Sequence, residues 1–267
     1  MDERKIPVPG WSTAITQVGF HKILVRGYPL KELIGNLSFA EVLFLTIRGE
    51  LPTKEQARVL DAALCAIVDH GFFAPTIVAA RVVASANPQS IVPAMASGIL
   101  TVGSVTVSPQ ETAELILEAS KLMREEGLSM EETARRVVQD LRSKGRRIPG
   151  LGHPLHPDED PRASALKEVA LKNGLWGQSS MLYEEIHRAF VEISGRFLPI
   201  NIDGMLGCVL TELGFEPKEM AGIAAISFMP GIIAHAVEES RDIKLRVVEG
   251  DYTGVSERHL PPDFIRR

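Results

Sequence analysis

The chain reads as a series of capped amphipathic stretches separated by nearly uncharged ones. Ser38-Phe-Ala-Glu41 is a capping box, in which hydroxyl and carboxylate satisfy each other's orphan backbone donors, and the helix it opens should end near Gly49. Thr53-Lys-Glu-Gln56 repeats the device and predicts an amphipathic helix to about His70. Residues 76–86 and 89–102 are rich in Ala, Val and Ile with few charges, so they predict buried helices separated by Asn87-Pro88. Ala94, Ala96, Ser97 and Gly98 allow another helix, including one from a second subunit, to approach closely. Ser108-Pro109-Gln-Glu111 combines a cap, a proline at the first helical position and a glutamate in the first turn. Ser129-Met-Glu-Glu132 starts a helix that ends in the basic run Arg142 to Arg147, which suits the negative end of a helix. Asp160-Pro161 starts a helix to about Asn173, residues 179–195 form another, and Pro199-Ile-Asn-Ile-Asp203 leads into an apolar helix to Leu213. Pro217 opens the last long helical region, through Ala236, with Pro230 as a kink. Residues 11–36 hold only short apolar pieces and a turn at Arg26-Gly-Tyr-Pro29. With no run of alternating strands and no internal repeat, the expected class is all-α.

Composition refines this picture. The hydrophobic share is 45% and the aromatic share 6%, so the core is aliphatic, which favours closely packed helices. A net charge of −5 argues against a broadly cationic nucleic-acid surface, while a local basic pocket needs only a few cations. Cys65 and Cys208 lie in apolar helical patterns and read as small buried hydrophobes, with no zinc spacing and no disulfide framework. The N-terminus has no apolar signal core, and the run Ala221 to Ala236 is short and broken by Ser227, Pro230 and His235. A cytoplasmic protein with no membrane partner is the default expectation.

One stretch breaks the helical rhythm: Gly150-Leu-Gly-His153 through Asp160-Pro-Arg-Ala163. Its glycines and prolines exclude a helix interior and describe a shaped loop that presents His153 and Arg162. An imidazole beside a cation suits a carboxylated substrate, although a surface turn with a chance histidine has the same local composition.

Together with Arg26-Gly-Tyr-Pro-Leu-Lys-Glu-Leu33, Ser38-Phe-Ala-Glu-Val42, Gly49-Glu-Leu-Pro-Thr53, Asp69-His70, Asn201-Ile-Asp203 and Asp251-Tyr-Thr-Gly254, this loop resembles the citrate synthase family. The segments occur in the family's order over almost the whole chain. The chain lacks the long segment that normally separates the Leu-Pro-Thr and Asp-His segments, and in this it is similar to citryl-CoA lyase and the citrate-synthase-like C-terminal module of ATP-citrate lyase. The resemblance implies an all-α fold with two domains around a cleft: a large domain from 1–106 and 206–267, and a small domain from 107–205. It also implies a homodimer or dimer-based oligomer.

By the same resemblance, His153 exchanges a proton with the substrate's hydroxyl or carbonyl oxygen. Asp203 works at the acetyl α-carbon, although it also reads as a helix cap. Arg162 clamps a carboxylate, or is simply a first-turn arginine. His70 holds the substrate oxygen, or interacts with helix-terminal carbonyls. Arg246 matches an arginine lent to the neighbouring subunit's site, with a spacing to Tyr252 one residue too long. His156, His187 and His235 read as structural or solvated.

Three positions depart from the family. Thr106 or Val105 stands where synthases carry a further catalytic histidine, leaving the Thr106 hydroxyl, a backbone N–H or a water as donor. Phe228 stands where a carboxylate-binding arginine is expected, which implies fewer cations or an apolar group on the substrate. Pro154 and an acidic loop centre replace residues that are cationic near CoA in relatives, so Lys144, Arg146 and Arg147 are the candidate CoA phosphate contacts. The expected activity is cleavage of citryl-CoA, or a related β-hydroxyacyl-CoA, to acetyl-CoA and a 2-oxoacid such as oxaloacetate, with a CoA thioester and a carboxylic acid as partners and no metal or redox cofactor. The alternatives are a citrate- or 2-methylcitrate-type synthase and a non-catalytic metabolite-binding paralogue.

Overall fold

The computed structural model describes residues 10–103, 109–241 and 250–259. Chain order begins with strands β1 (Thr16–Gly19), β2 (Lys22–Val25) and β3 (Tyr28–Pro29), followed by helices α1 (Leu30–Leu33), α2 (Phe39–Arg48) and α3 (Lys54–Ala66). A 3-10 turn at Gly71–Phe73 leads to α4 (Pro75–Ala86), α5 (Val92–Ile99), α6 (Pro109–Glu126) and α7 (Met130–Ser143). Then come α8 (Pro161–Lys172), α9 (Gln178–Ser194), α10 (Ile202–Glu212) and α11 (Pro217–Arg241). The fold is all-α apart from the small antiparallel sheet.

The capping boxes form as the sequence implies, Ser38 with Glu41 and Thr53 with Gln56, and the helix start at Ser129 forms a third with Glu132. Gly49 closes α2 in the left-handed conformation at φ 87°. α3 ends at Ala66, short of His70, and His70 instead caps the 3-10 turn. The cap of α6 at Ser108 lies outside the described residues.

The sheet corrects the strand-free reading of residues 11–36. All four residues of β1 are exposed, so no buried face imposes alternation on the sequence. Arg26-Gly27 does form the turn, as a two-residue hairpin loop with φ 49° and 87° between β2 and β3. The Arg26 guanidinium then caps α2, with Nε donating to Thr46 O at 2.9 Å and Nη2 to Ile47 O at 3.1 Å.

Two apolar cores form. The first joins α2, α3, α4, α8, most of α10 and α11, with Phe44, Leu60, Ile77, Leu166, Leu210 and Ile223 all buried. The second joins α6, α7 and α9 around Ile116, Val138, Leu182, Tyr183 and Ile186, with Cys208 reaching in from α10. Ala163, Leu166 and Ala170 of α8 pack into the first core. α10 is buried all round, from Gly204 to Leu210, and sits between the two cores. Cys208 is buried as expected, whereas Cys65 is exposed, on the outer side of α3.

α11 is long and apolar enough by composition to cross a membrane. Its buried residues Met220, Ile223, Ala224, Phe228, Ile232 and Ala236 instead line the first core, a role that demands the same composition. The helix runs through Pro230 without a break. Beside the proline, the Gly231 N–H donates at 3.1 Å to Val68 O, outside the helix ladder. A Cβ on Gly231 would lie 2.7 Å from Val68 O and from Asp69 Oδ1, so this glycine sets how closely the Asp69-His70 turn approaches α11.

Candidate active site

The Gly150–His153 loop is stitched to the N-terminus of α10 by backbone. Gly152 N–H donates to Pro199 O at 2.7 Å, Asn201 N–H donates to Gly150 O at 2.9 Å, and Leu151 and Ile200 form an antiparallel bridge. The Asn201 side chain works in both directions: Nδ2 donates to Gly152 O at 2.7 Å, while Oδ1 caps α10 by accepting from Gly204 N at 3.1 Å. Glycine is required at 150. Its φ is 81°, and a Cβ there would collide with Gly204 Cα, lie 2.5 Å from the Tyr183 hydroxyl and lie 2.7 Å from Thr112 Oγ1. The fully buried Tyr183 donates to Pro149 O at 2.5 Å and fixes the loop from below. Asp203, half-buried in the first turn of α10, thus belongs to the same rigid unit as the loop that carries His153. Burial chiefly, then the charges of Cys208 and Asp203, push the Tyr183 phenol well above its usual range, so it remains a neutral donor.

The rings of His153 and His70 meet edge to face, with centroids 5.5 Å apart, and Phe73 lies 5.8 Å from the His70 ring and 6.2 Å from that of His153. His156, expected to be solvated or structural, instead stacks on His153 at 4.6 Å. His187 does bond within the fold, 2.8 Å from Leu198 O. Burial first, and then the nearby Arg162 and His156, push the His153 pKa below its ordinary value against the opposing pull of Asp160. His70 is lowered for the same leading reasons, burial and then Arg162. Both rings are therefore neutral at pH 7. The Leu155 N–H donates to His153 Nδ1 at 3.1 Å, and a backbone N–H can only donate. The neutral ring consequently carries its proton on Nε2. His70 Nε2 is buried and has no protein partner among the described residues.

Arg162 approaches this cluster from the first turn of α8, paired along one edge with Asp160: Nε to Oδ1 at 3.0 Å and Nη2 to Oδ2 at 2.8 Å. Asp160 also accepts from Arg162 N at 3.1 Å and from Ile202 N at 3.0 Å, so one carboxylate caps α8 and binds α10. Sequence reading identified Asp160 as a helix start but missed this clamp, because its second partner lies forty-two residues away.

A cleft of about 770 Å³ opens on the other side of the loop. Arg142, Arg146, Arg147 and Arg196 line it, with Leu141, Ile148, Phe190 and Leu198 as apolar surface. Arg146 and Arg147 both line this cleft beside its apolar surface. Lys144 does not line this cleft: its Nζ bonds Asp140 Oδ2 at 2.7 Å, one turn back along the chain. Arg196 was missed because it is isolated in sequence, and only the fold brings it to the basic run.

The remaining expected site residues divide. Phe228 is packed in the first core and only 4% exposed, so it is a packing residue and not part of the wall formed by His70, His153 and Arg162. Thr106 and Arg246 lie outside the described residues. Among the described residues no group of His, Cys, Asp or Glu is placed to hold a metal ion.

The citrate synthase C-terminal domain profile matches residues 53–247, most of the chain. The chain belongs to the citrate synthase family. Curated relatives in this family include citrate synthase of Deinococcus radiodurans, 28% identical over 84% of this chain and 58% of that protein. Citrate synthase 2 of Bacillus subtilis is 25% identical over 96% of this chain and 65% of that protein. The chain thus spans about three-fifths of the length of the synthases it matches. Among solved structures, citryl-CoA lyase from Hydrogenobacter thermophilus superposes with a TM-score of 0.85 at 32% identity, covering 95% of this chain and 98% of that one. ATP citrate lyase from Methanothrix soehngenii, solved with citrate and coenzyme A, shares the fold at a TM-score of 0.75 and 20% identity over 98% of this chain and 44% of that one. The chain therefore has the citrate synthase-like fold.

Proposed function

We propose that this enzyme is a carbon–carbon lyase for CoA thioesters, cleaving citryl-CoA or a related β-hydroxyacyl-CoA to acetyl-CoA and a 2-oxoacid. The observation that carries the reading is the end-to-end likeness to a citryl-CoA lyase of nearly the same length. The CoA moiety would lie in the cleft lined by Arg142, Arg146, Arg147 and Arg196, with phosphates on the guanidinium groups and adenine on the apolar surface. Arg162, already oriented by Asp160, would present its remaining N–H groups to a substrate carboxylate. The unpartnered His70 Nε2 would meet the substrate oxygen.

In cleavage the hydroxyl proton leaves to an imidazole and the bond between the carbinol and α-carbons breaks. The electron pair moves into the thioester carbonyl as an enolate, and Asp203 returns a proton to the α-carbon. His153 takes the hydroxyl proton at Nε2 only in its other tautomer, which requires the Leu155 N–H contact to open when substrate binds. Condensation makes no such demand, because the tautomer that accepts from Leu155 already carries on Nε2 a proton to donate to a 2-oxoacid carbonyl. That contact favours a synthase as the second reading.

Purified protein given citryl-CoA should release a 2-oxoacid, read by its coupled reduction, and Asp203→Ala should abolish release with the fold retained. No release from citryl-CoA or citramalyl-CoA, together with citrate formation from acetyl-CoA and oxaloacetate, would establish the synthase instead.

A further inference from the structure

The turn that carries His70 is held from behind by a chain of charged groups for which the proposed chemistry has no direct use. At its base, Arg81 of α4 is 7% exposed and pairs with the buried Glu239 of α11, Nη2 to Oε2 at 2.7 Å. Ser85 donates to the other oxygen of Glu239, and Arg81 Nη1 reaches Glu238 at 2.8 Å. The guanidinium also lies 5.1 Å from the ring centroid of Phe72, two residues beyond His70. From Nη1 the chain continues to His235 Nδ1 at 3.2 Å. A guanidinium has no acceptor, so His235 Nδ1 must accept and its neutral ring carries a proton on Nε2. That Nε2–H faces Asp69, 3.4 Å from Oδ1 and 3.5 Å from Oδ2. Asp69 Oδ2 also accepts from Gly71 N at 3.2 Å, so the carboxylate straddles the backbone of His70.

We infer that His235 is a positioning residue for His70: Arg81 fixes its tautomer, and its Nε2–H anchors the Asp69 carboxylate that sets the turn. Gly231 N–H grips Val68 O on one side of His70. Beyond it the ties are local to the turn: Gly71 N–H to Asp69 Oδ2, and Ala74 N–H to Gly71 O at 3.1 Å. Losing His235 leaves Arg81 and Glu239 paired, so α4 and α11 stay joined while Asp69 is released. The inference rests on the reading of His70 as a substrate-binding group, and its test separates the two.

In the substrate-free protein, the imidazole proton and carbon signals of His70, assigned by their loss in His70→Ala, should shift in His235→Ala. They should stay close to wild type in His235→Gln, whose amide N–H can take the place of Nε2–H. With citryl-CoA as substrate, His235→Ala should raise KM about tenfold with kcat within about twofold, and should add nothing to His70→Ala, as expected of residues acting as a unit. Unmoved His70 signals, or fully additive effects of the two alanine substitutions, would overturn the inference. Shifted signals with an unchanged KM in His70→Ala would retain the positioning link and reject the substrate role of His70.

Discussion

Asp160 is where a single substitution should do most damage to both fold and site. Its side chain is fully buried and all four of its hydrogen bonds are accepted, two from the Arg162 side chain and two from backbone N–H groups at the starts of α8 and α10. Burial alone would raise its pKa. The hydrogen bond and charge of Arg162, with the Arg162 and Ile202 N–H groups, together outweigh burial and hold the carboxyl below its usual value. Asp160→Ala strands a largely buried guanidinium and removes the cap of α8. Breaking a buried pair costs about 3–5 kcal/mol, against roughly 5–15 kcal/mol for a whole protein. Asp160→Asn is no conservative control, because each carboxylate oxygen accepts from two donors and its –NH₂ would face two of the four whichever way the amide is turned. Chemical denaturation should therefore show a loss of about 3–5 kcal/mol for Ala and a loss of about 2 kcal/mol or more for Asn. A depressed carboxyl pKa stabilises the protein fully above the unfolded value near 4 and is lost as pH falls through the lower folded value, so part of the wild-type acid sensitivity should vanish in Asp160→Ala. A variant within about 1 kcal/mol of wild type would refute the clamp, since it would make this pair no better than an exposed one.

The two cleft histidines set a second expectation. Their folded pKa values lie below the unfolded value near 6.5, so the unfolded chain binds more protons in the window just below it. Their contribution should therefore be fully present above about pH 6.5 and decline as pH falls through that window, and NMR titration should give both midpoints below 6.5; a midpoint above it for either ring would reject the neutral pair. Removing one cleft arginine, as in Arg196→Ala or Arg146→Ala, should raise KM for the CoA thioester with little change in kcat, and raised salt should shrink the difference. Equal KM values at low and high salt would place the CoA phosphates elsewhere.

The parts of this molecule that were legible in its sequence are those whose physics is local. Two capping boxes, the Gly49 stop and the helix starts at Ser129 and Asp160-Pro161 are settled within four residues of chain, and all formed as read. The glycine run at 150–152 was legible as a loop, but its reason was not: Gly150 is required by contact with Gly204 and Tyr183, which α9 and α10 supply. The sheet was hidden for the converse reason, because strands exposed on both faces leave no period in the sequence. Charge was the least legible feature. Lys144 and Arg146 belong to the same basic run, yet on either side of Gly145, at φ 63°, one turns back to Asp140 and the other lines the cleft.

Phe228 and His235 show how far this limit extends into function. Both lie on α11, seven residues apart, and sequence reading assigned the first to the substrate and the second to the background. At a spacing of seven the two side chains share one face of the helix, so what separates them is the neighbour each meets along it. Phe228 packs into the first core with Ile232. His235, about two turns further on, meets Asp69 and Arg81. The loss of a substrate-facing cation at position 228 is therefore not answered by an apolar pocket there. If a carboxylate of the substrate still needs a second positive partner, Arg81 of α4 is not placed to serve, being committed to Glu238 and Glu239. Arg162 then carries the larger share of carboxylate recognition, which makes the Asp160 clamp that aims it as consequential for substrate choice as for stability.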